Sequence, residues 1–208
     1  MSKPRPNPSA GRPAAIGLRA HSGWAVLVAV AGSLRSPAVL DRRRIVLADA
    51  AVAGSKQPYH AAAARASLDD AAELVARCRE SSGLLADQAL GSAIDELTAS
   101  GYTVSAAGLL LASGRSLPDL ASILASHALI HTAEGELFRN VLARTSQRHG
   151  LSVVKVKERQ LVEQSASALG ISAEELPGSL SALGKKLGPP WRQDEKYAAL
   201  AGWLALSF

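Results

Sequence analysis

Apolar positions along the chain change period twice. Ala14–Ala20, Trp24–Ala31 and Ala38–Leu47 are short apolar runs separated by His21-Ser22-Gly23 and by Gly32–Pro37. That pattern predicts three strands in an antiparallel meander. From Tyr59 the spacing changes to three and four, which predicts a helix over 59–80, a break at Ser81-Ser82-Gly83 and a second helix over 84–100 stopped by Gly101. Tyr102–Leu111 is apolar on both faces and reads as a central strand. A loop at Ser113-Gly114-Arg115-Ser116 follows, with Pro118 in the first turn of a short helix.

Ile123–Val156 is the richest stretch: a long helix, a turn at Gly150, then a strand over 151–156. Glu158–Leu169 reads as a further helix capped by Gly170, and Ser172 with Glu175 forms a capping box before the next. Pro189, Pro190 and Trp191 make a rigid connector, and Gln193–Leu206 is a final amphipathic helix. Strands that first meander and then alternate with helices define one α/β domain over 14–208. Its mixed sheet has about five strands, antiparallel at the start, parallel afterwards and flanked by helices.

Composition refines this picture. Of 208 residues, 48% are hydrophobic but only 4% aromatic, so Ala, Leu and Val build the core. Residues 1–13 carry four prolines and three cations (Lys3, Arg5, Arg12), which predicts a disordered basic leader. The formal charge of +5 permits a nucleic-acid or other phosphate-bearing partner without requiring one. A single cysteine, Cys78, excludes an intramolecular disulfide and a thiolate metal cluster. No apolar run reaches the ~20 residues of a membrane span, and residues 1–13 lack a signal-peptide core. The expected setting is cytoplasmic.

Candidate chemistry falls in five places. His127, His131 and Glu134 lie at i, i+4 and i+7 on one helical face, a spacing able to hold a divalent metal such as Zn²⁺, Mn²⁺ or Mg²⁺. The alternative is two histidines bonded to the backbone and to Glu134. Arg19 and His21 end the first strand, where they could meet Glu134 and Asp194, either as a structural ion pair or to grip a phosphate. Tyr59 and His60 open a helix and could face a ligand or merely cap it. Lys185, Lys186, Arg192 and Lys196 surround Trp191, a combination suited to single-stranded nucleic acid, or else a solvated face around a buried Trp. Arg42, Arg43 and Arg44 must alternate across their strand, as a phosphate-contacting strip or a solvated edge. Trp203 on the last helix is a candidate contact for a homodimer.

The order of elements resembles the ribonuclease H-like fold, and most its Holliday-junction resolvase (RuvC-like) branch, over Ala15–Leu206. Ile16-Gly17-Leu18 with Trp24-Ala25-Val26 looks like the family's first hairpin. Glu134-Gly135-Glu136 through Gly150-Leu151-Ser152-Val153 looks like its helix and following strand, and Asp194 with Ala198-Ala199-Leu200 like the acidic start of its last helix. The resemblance implies two divalent metals held by carboxylates on the first strand, the fourth strand and the last helix. This chain departs from that pattern. Arg19 stands at the first-strand position, no acid lies nearer than Asp41, and 102–111 contains none, Asp119 falling beyond a loop. Only Asp194 and Glu195 remain. The expectation is a catalytically divergent domain that binds nucleic acid or another phosphate-bearing ligand, with a single-metal hydrolase and a non-catalytic interaction protein as alternatives.

Overall fold

The structure, a computed structural model, describes residues 11–112 and 116–208. Most of the expected leader and Ser113-Gly114-Arg115 of the expected loop lie outside the described residues. The three predicted early strands form β1 (Arg12–His21), β2 (Trp24–Ser33) and β3 (Ser36–Val46), each one to two residues longer at an end than the apolar runs. The stretch expected as a loop over 32–37 is a tight hairpin, because Gly32 pairs with Pro37 and Ser33 with Ser36. Proline is tolerated there, since β3 lies at the sheet edge.

The helices revise the expectation at one place. α1 is short (Pro58–Ala63), and the chain restarts at Ser67, whose hydroxyl accepts from the Asp70 N–H at 3.1 Å. α2 then runs unbroken over Leu68–Ala99, straight through Ser81-Ser82-Gly83. A glycine inside a helix costs about 1 kcal/mol. Burial of Leu74, Val75, Cys78, Leu90 and other α2 side chains outweighs that, at ~1.5–3 kcal/mol per large apolar side chain. β4 (Tyr102–Leu111), α4 (His127–Arg148) and β5 (Ser152–Lys157) follow as predicted; the short α3 (Leu120–Leu124) starts later than expected, with Asp119 as its N-cap and Pro118 outside its first turn. α5 (Leu161–Leu169) comes after a 3₁₀ turn. Ser172 and Glu175 exchange the capping-box bonds at 3.3 Å just before α6 (Leu176–Leu183), and α7 spans Gln193–Ala205.

The sheet has the order β3-β2-β1-β4-β5. β1, β2 and β3 pair antiparallel, while β1–β4 and β4–β5 pair parallel. Two apolar clusters lie on its two faces. Ile16, Leu18, Leu27 and Leu109 pack with α1, α2, α3 and α4. Val26, Val28, Val30 and Leu110 pack with α5, α6 and α7. This three-layer α/β arrangement around a mixed sheet, with strand order β3-β2-β1-β4-β5, is the one that the resemblance to the ribonuclease H-like fold implies.

One contact fixes the second layer. α7 lies against the sheet so closely that a Cβ on Gly17 would come 1.7 Å from the Ala198 carbonyl oxygen, and one on Gly108 would come 2.0 Å from that of Ala201. Gly202 completes the contact from the helix, 2.8 Å from the Gly17 nitrogen by the same measure. Backbone blocks each position, so rotamer changes cannot relieve a side chain there. Gly17→Ala should therefore cost more than about 2 kcal/mol in urea unfolding, at or above the usual range for overpacking. Gly83→Ala, where an added methyl meets nothing within 4 Å, should gain about 0.5–1 kcal/mol. Equal stabilities for the two variants would contradict the seating of α7.

Candidate functional site

Alternation along β1 sorts the candidate residues. Ile16, Leu18 and Ala20 face the α4 layer; Gly17, Arg19 and His21 face α7. α7 begins over the end of β1, and this brings Asp194 to Arg19. Asp194 Oδ1 lies 2.7 Å from Arg19 Nη1 and Oδ2 lies 3.3 Å from His21 Nε2, both off the hydrogen-bond axis. Glu158, the first residue after β5, accepts a hydrogen bond from Arg19 Nη2 at 3.1 Å. Sequence reasoning missed Glu158, although its place at the carboxyl end of a parallel strand is where sites gather. Burial holds the His21 imidazolium below its ordinary pKa; Asp194 opposes that shift and the Arg19 charge adds to it. His21 also stacks on Trp24, with centroids 4.1 Å apart and the rings 10° from parallel.

Beside this network, at the carboxyl ends of β1 and β4, lies a crevice of about 160 Å³ lined by Arg19, His21, Leu110, Leu111, Arg139 and Glu158. Arg139 reaches it from α4 while its guanidinium bonds Glu136 at 3.2 Å. A larger groove of about 580 Å³ between α2 and α4 has mixed charge, Arg79, Arg144 and Arg148 facing Glu80, Asp87 and Glu136.

The three consecutive arginines of β3 do alternate, and each has a partner. Arg42 donates to the carbonyls of Gly188, Pro189 and Pro190, and Arg44 lies 3.8 Å over the Trp24 ring. Arg43 turns the other way to Asp41 and, at 2.7 Å, to Glu96. The Arg43 hydrogen bond holds the Glu96 carboxyl down at about 2. The expectation of a phosphate strip on β3 is thereby corrected, because intramolecular partners occupy all three guanidinium groups.

On the opposite face, His127 and His131 share one side of α4 as their spacing predicts, but the third member of the group is His60 from α1. The candidate ligand atoms of these three lie within 4.8 Å of one another. Glu134 is not the third ligand expected beside them. It is 2% exposed and turns beneath α1, accepting from the backbone N–H groups of Tyr59 at 2.9 Å and His60 at 3.1 Å, with His60 Nδ1 at 3.2 Å. Glu134 therefore does not join Arg19, because the sheet lies between them.

The remaining candidates separate likewise. Tyr59 is a core residue of α1, and Lys196 lies in the α7 layer, bonded to the Ser181 hydroxyl at 3.2 Å, so Tyr59, His60 and Lys196 form no common binding surface. Trp191 donates to the Leu180 carbonyl at 2.8 Å and packs on Gly184, which makes it an anchor for α6 rather than a stacking platform. Trp203 is 1% exposed and donates to the Leu34 carbonyl at 3.1 Å. It belongs to the core and offers nothing to a second subunit. No described helix is long and apolar enough to cross a membrane.

The donor set at the end of β1 does not fit the two divalent metals that a ribonuclease H-like nuclease holds. β4 supplies no carboxylate, and Asp194 and Glu158 both face the Arg19 guanidinium, a fixed cation where a metal would need net negative charge. Two structures of Thermus thermophilus RuvC are similar to this chain. One, in complex with Holliday junction substrate, has a TM-score of 0.48 at 13% identity over 93% of this chain and 90% of that one. The other has a TM-score of 0.49 at 12% identity over 92% of each. No family model matches the chain, and no curated protein does.

His21 yields a pH prediction. Its folded-state pKa lies below the unfolded value of 6.5, so as the pH falls the unfolded chain takes up the proton first. The stability held above pH 6.5 then declines below it. His21→Phe keeps a ring on Trp24 and removes the titration. The urea midpoint of the wild type, relative to that variant, should drop between pH 7.5 and pH 5.5; a constant difference would mean that His21 titrates alike in both states.

Proposed function

We propose that this chain is a catalytically divergent ribonuclease H-like domain that binds nucleic acid, through its phosphates, at the carboxyl end of the sheet. One observation carries the reading: Arg19 and Arg139 line the crevice there, Lys155 and Lys157 lie on the neighbouring edge strand, and Arg159 lies in the turn that follows it. Leu111, which lines the crevice, pairs with Lys157, so the edge strand that carries the lysines lies next to the crevice. Five basic side chains then stand against Glu136, Glu158, Glu163 and Asp194, an excess of one that favours a polyanion. Arginine forks suit phosphate oxygens, and the two carboxylates hold the Arg19 fork in place. Its position excludes the cation that phosphodiester cleavage in this fold would need, so the reading is binding without two-metal cleavage.

The test is fluorescence anisotropy of the full chain with single-stranded, duplex and four-way-junction DNA and with duplex RNA, at 50 and 200 mM salt. Binding should weaken steeply with salt, in proportion to the phosphates contacted. Arg139→Gln and a combined Lys155→Ala, Lys157→Ala variant should each lose about tenfold, ~1.4 kcal/mol, while circular dichroism stays unchanged. Absence of binding to every probe at 50 mM salt would overturn the reading and leave Arg19 as a structural brace. Mg²⁺-dependent cleavage would overturn its divergent part.

A further inference from the structure

We propose that His60, His127 and His131 form a Zn²⁺ site, with Glu134 as the residue that positions His60. The site lies on the far side of the sheet from Arg19 and stands independently of the nucleic-acid reading. Two observations support it. First, imidazoles from two helices remote in sequence meet edge-on, with centroids 4.4, 4.8 and 5.7 Å apart. His127 is the first residue of α4 and His131 lies one turn on, both exposed, while His60 is half-buried. The three rings thus bring candidate ligand nitrogens within 4.8 Å of one another, two of the rings being exposed.

Second, Glu134 fixes the chemistry of His60. An ionised carboxylate only accepts hydrogen bonds, so the close Nδ1 carries the proton and Nε2 keeps its lone pair for a metal. A carboxylate behind a ligating histidine is the usual second shell of a zinc centre; it orients the ring and raises its basicity. Glu134 is 2% exposed, and among the described residues the His60 imidazole is the one basic side chain paired to it, which is costly for a carboxylate; a divalent cation on the far side of His60 offsets that cost. The present spread of up to 4.8 Å exceeds the roughly 3.3 Å between nitrogens around a tetrahedral ion with bonds of ~2.0–2.1 Å. For the ion to bind, the two exposed rings, His127 and His131, must rotate about their χ angles and close that gap. Three neutral nitrogens and one open position suit Zn²⁺ better than Mg²⁺ or Ca²⁺, which prefer oxygen, and the fourth position is left to water.

The test uses the full chain stripped with a chelator and titrated with Zn²⁺ in competition with a chromophoric chelator, and separately with Co²⁺ to read its visible absorption. The expected result is one ion per chain, with a tetrahedral Co²⁺ spectrum that Zn²⁺ displaces. His127→Ala and His131→Ala alter exposed side chains, so they should fold normally yet lose at least about 100-fold in affinity. Glu134→Gln should lose about 10–100-fold, the second-shell range, with the Co²⁺ spectrum retained at saturation. Substoichiometric binding, or affinity unchanged in both exposed-histidine variants, would overturn the site. Neither outcome bears on nucleic-acid binding, which is read with metal absent.

Discussion

Everything on the second face of the sheet depends on the backbone contact between α7 and the β1–β4 pair. Where Gly17 and Gly108 leave no side chain, the helix settles onto the strands at a distance that any Cβ would forbid. That seating buries Ala198 to Ala205 almost completely and locks Trp203 under the β2–β3 hairpin. It also sets the height of the start of α7 above the end of β1. Asp194 reaches both Arg19 and His21 because the helix lies this close.

The sheet acts as a wall between two centres of different character. On the α7 face, one guanidinium is held by two carboxylates, and a half-buried histidine is stacked between Asp194 and Trp24. On the α4 face, one buried carboxylate organises the entry of α1 and turns a histidine toward two others. A period of two in β1 and a period of 3.6 in α4 are enough to keep them apart. The first centre sets one guanidinium against two carboxylates, and the second gathers three imidazoles beside one buried carboxylate.

Much of the fold is legible in the residues themselves. The β-branched and apolar runs give β1, β2, β4 and β5 to within two residues, and Gly101 and Ser172 with Glu175 mark helix ends through local hydrogen bonding. Arg19 and Asp194 are recognisable as partners because β1 and the last helix lie where the fold puts them. The helix break was misplaced because Ser81-Ser82-Gly83 carries a stronger local signal than Ala64–Ser67, and long-range packing of α2 overrules it. Glu158 and Arg139 carry no local signal at all; only the convergence of β5 and α4 on the end of β1 gives them a role.

The amino-acid sequence by itself determines which segments are strands and helices, which face of each is apolar, and that His127 and His131 share a side of α4. These properties come from backbone propensity and periodicity, which act over a few residues. Only the tertiary structure decides that His60 rather than Glu134 stands with those histidines, and that Glu134 serves α1 from below. It alone decides that Arg42, Arg43 and Arg44 are occupied and that Trp203 faces inward. Each of these outcomes rests on side chains separated by tens of residues, where the winner is set by packing distance and by the cost of leaving a buried charge without a partner.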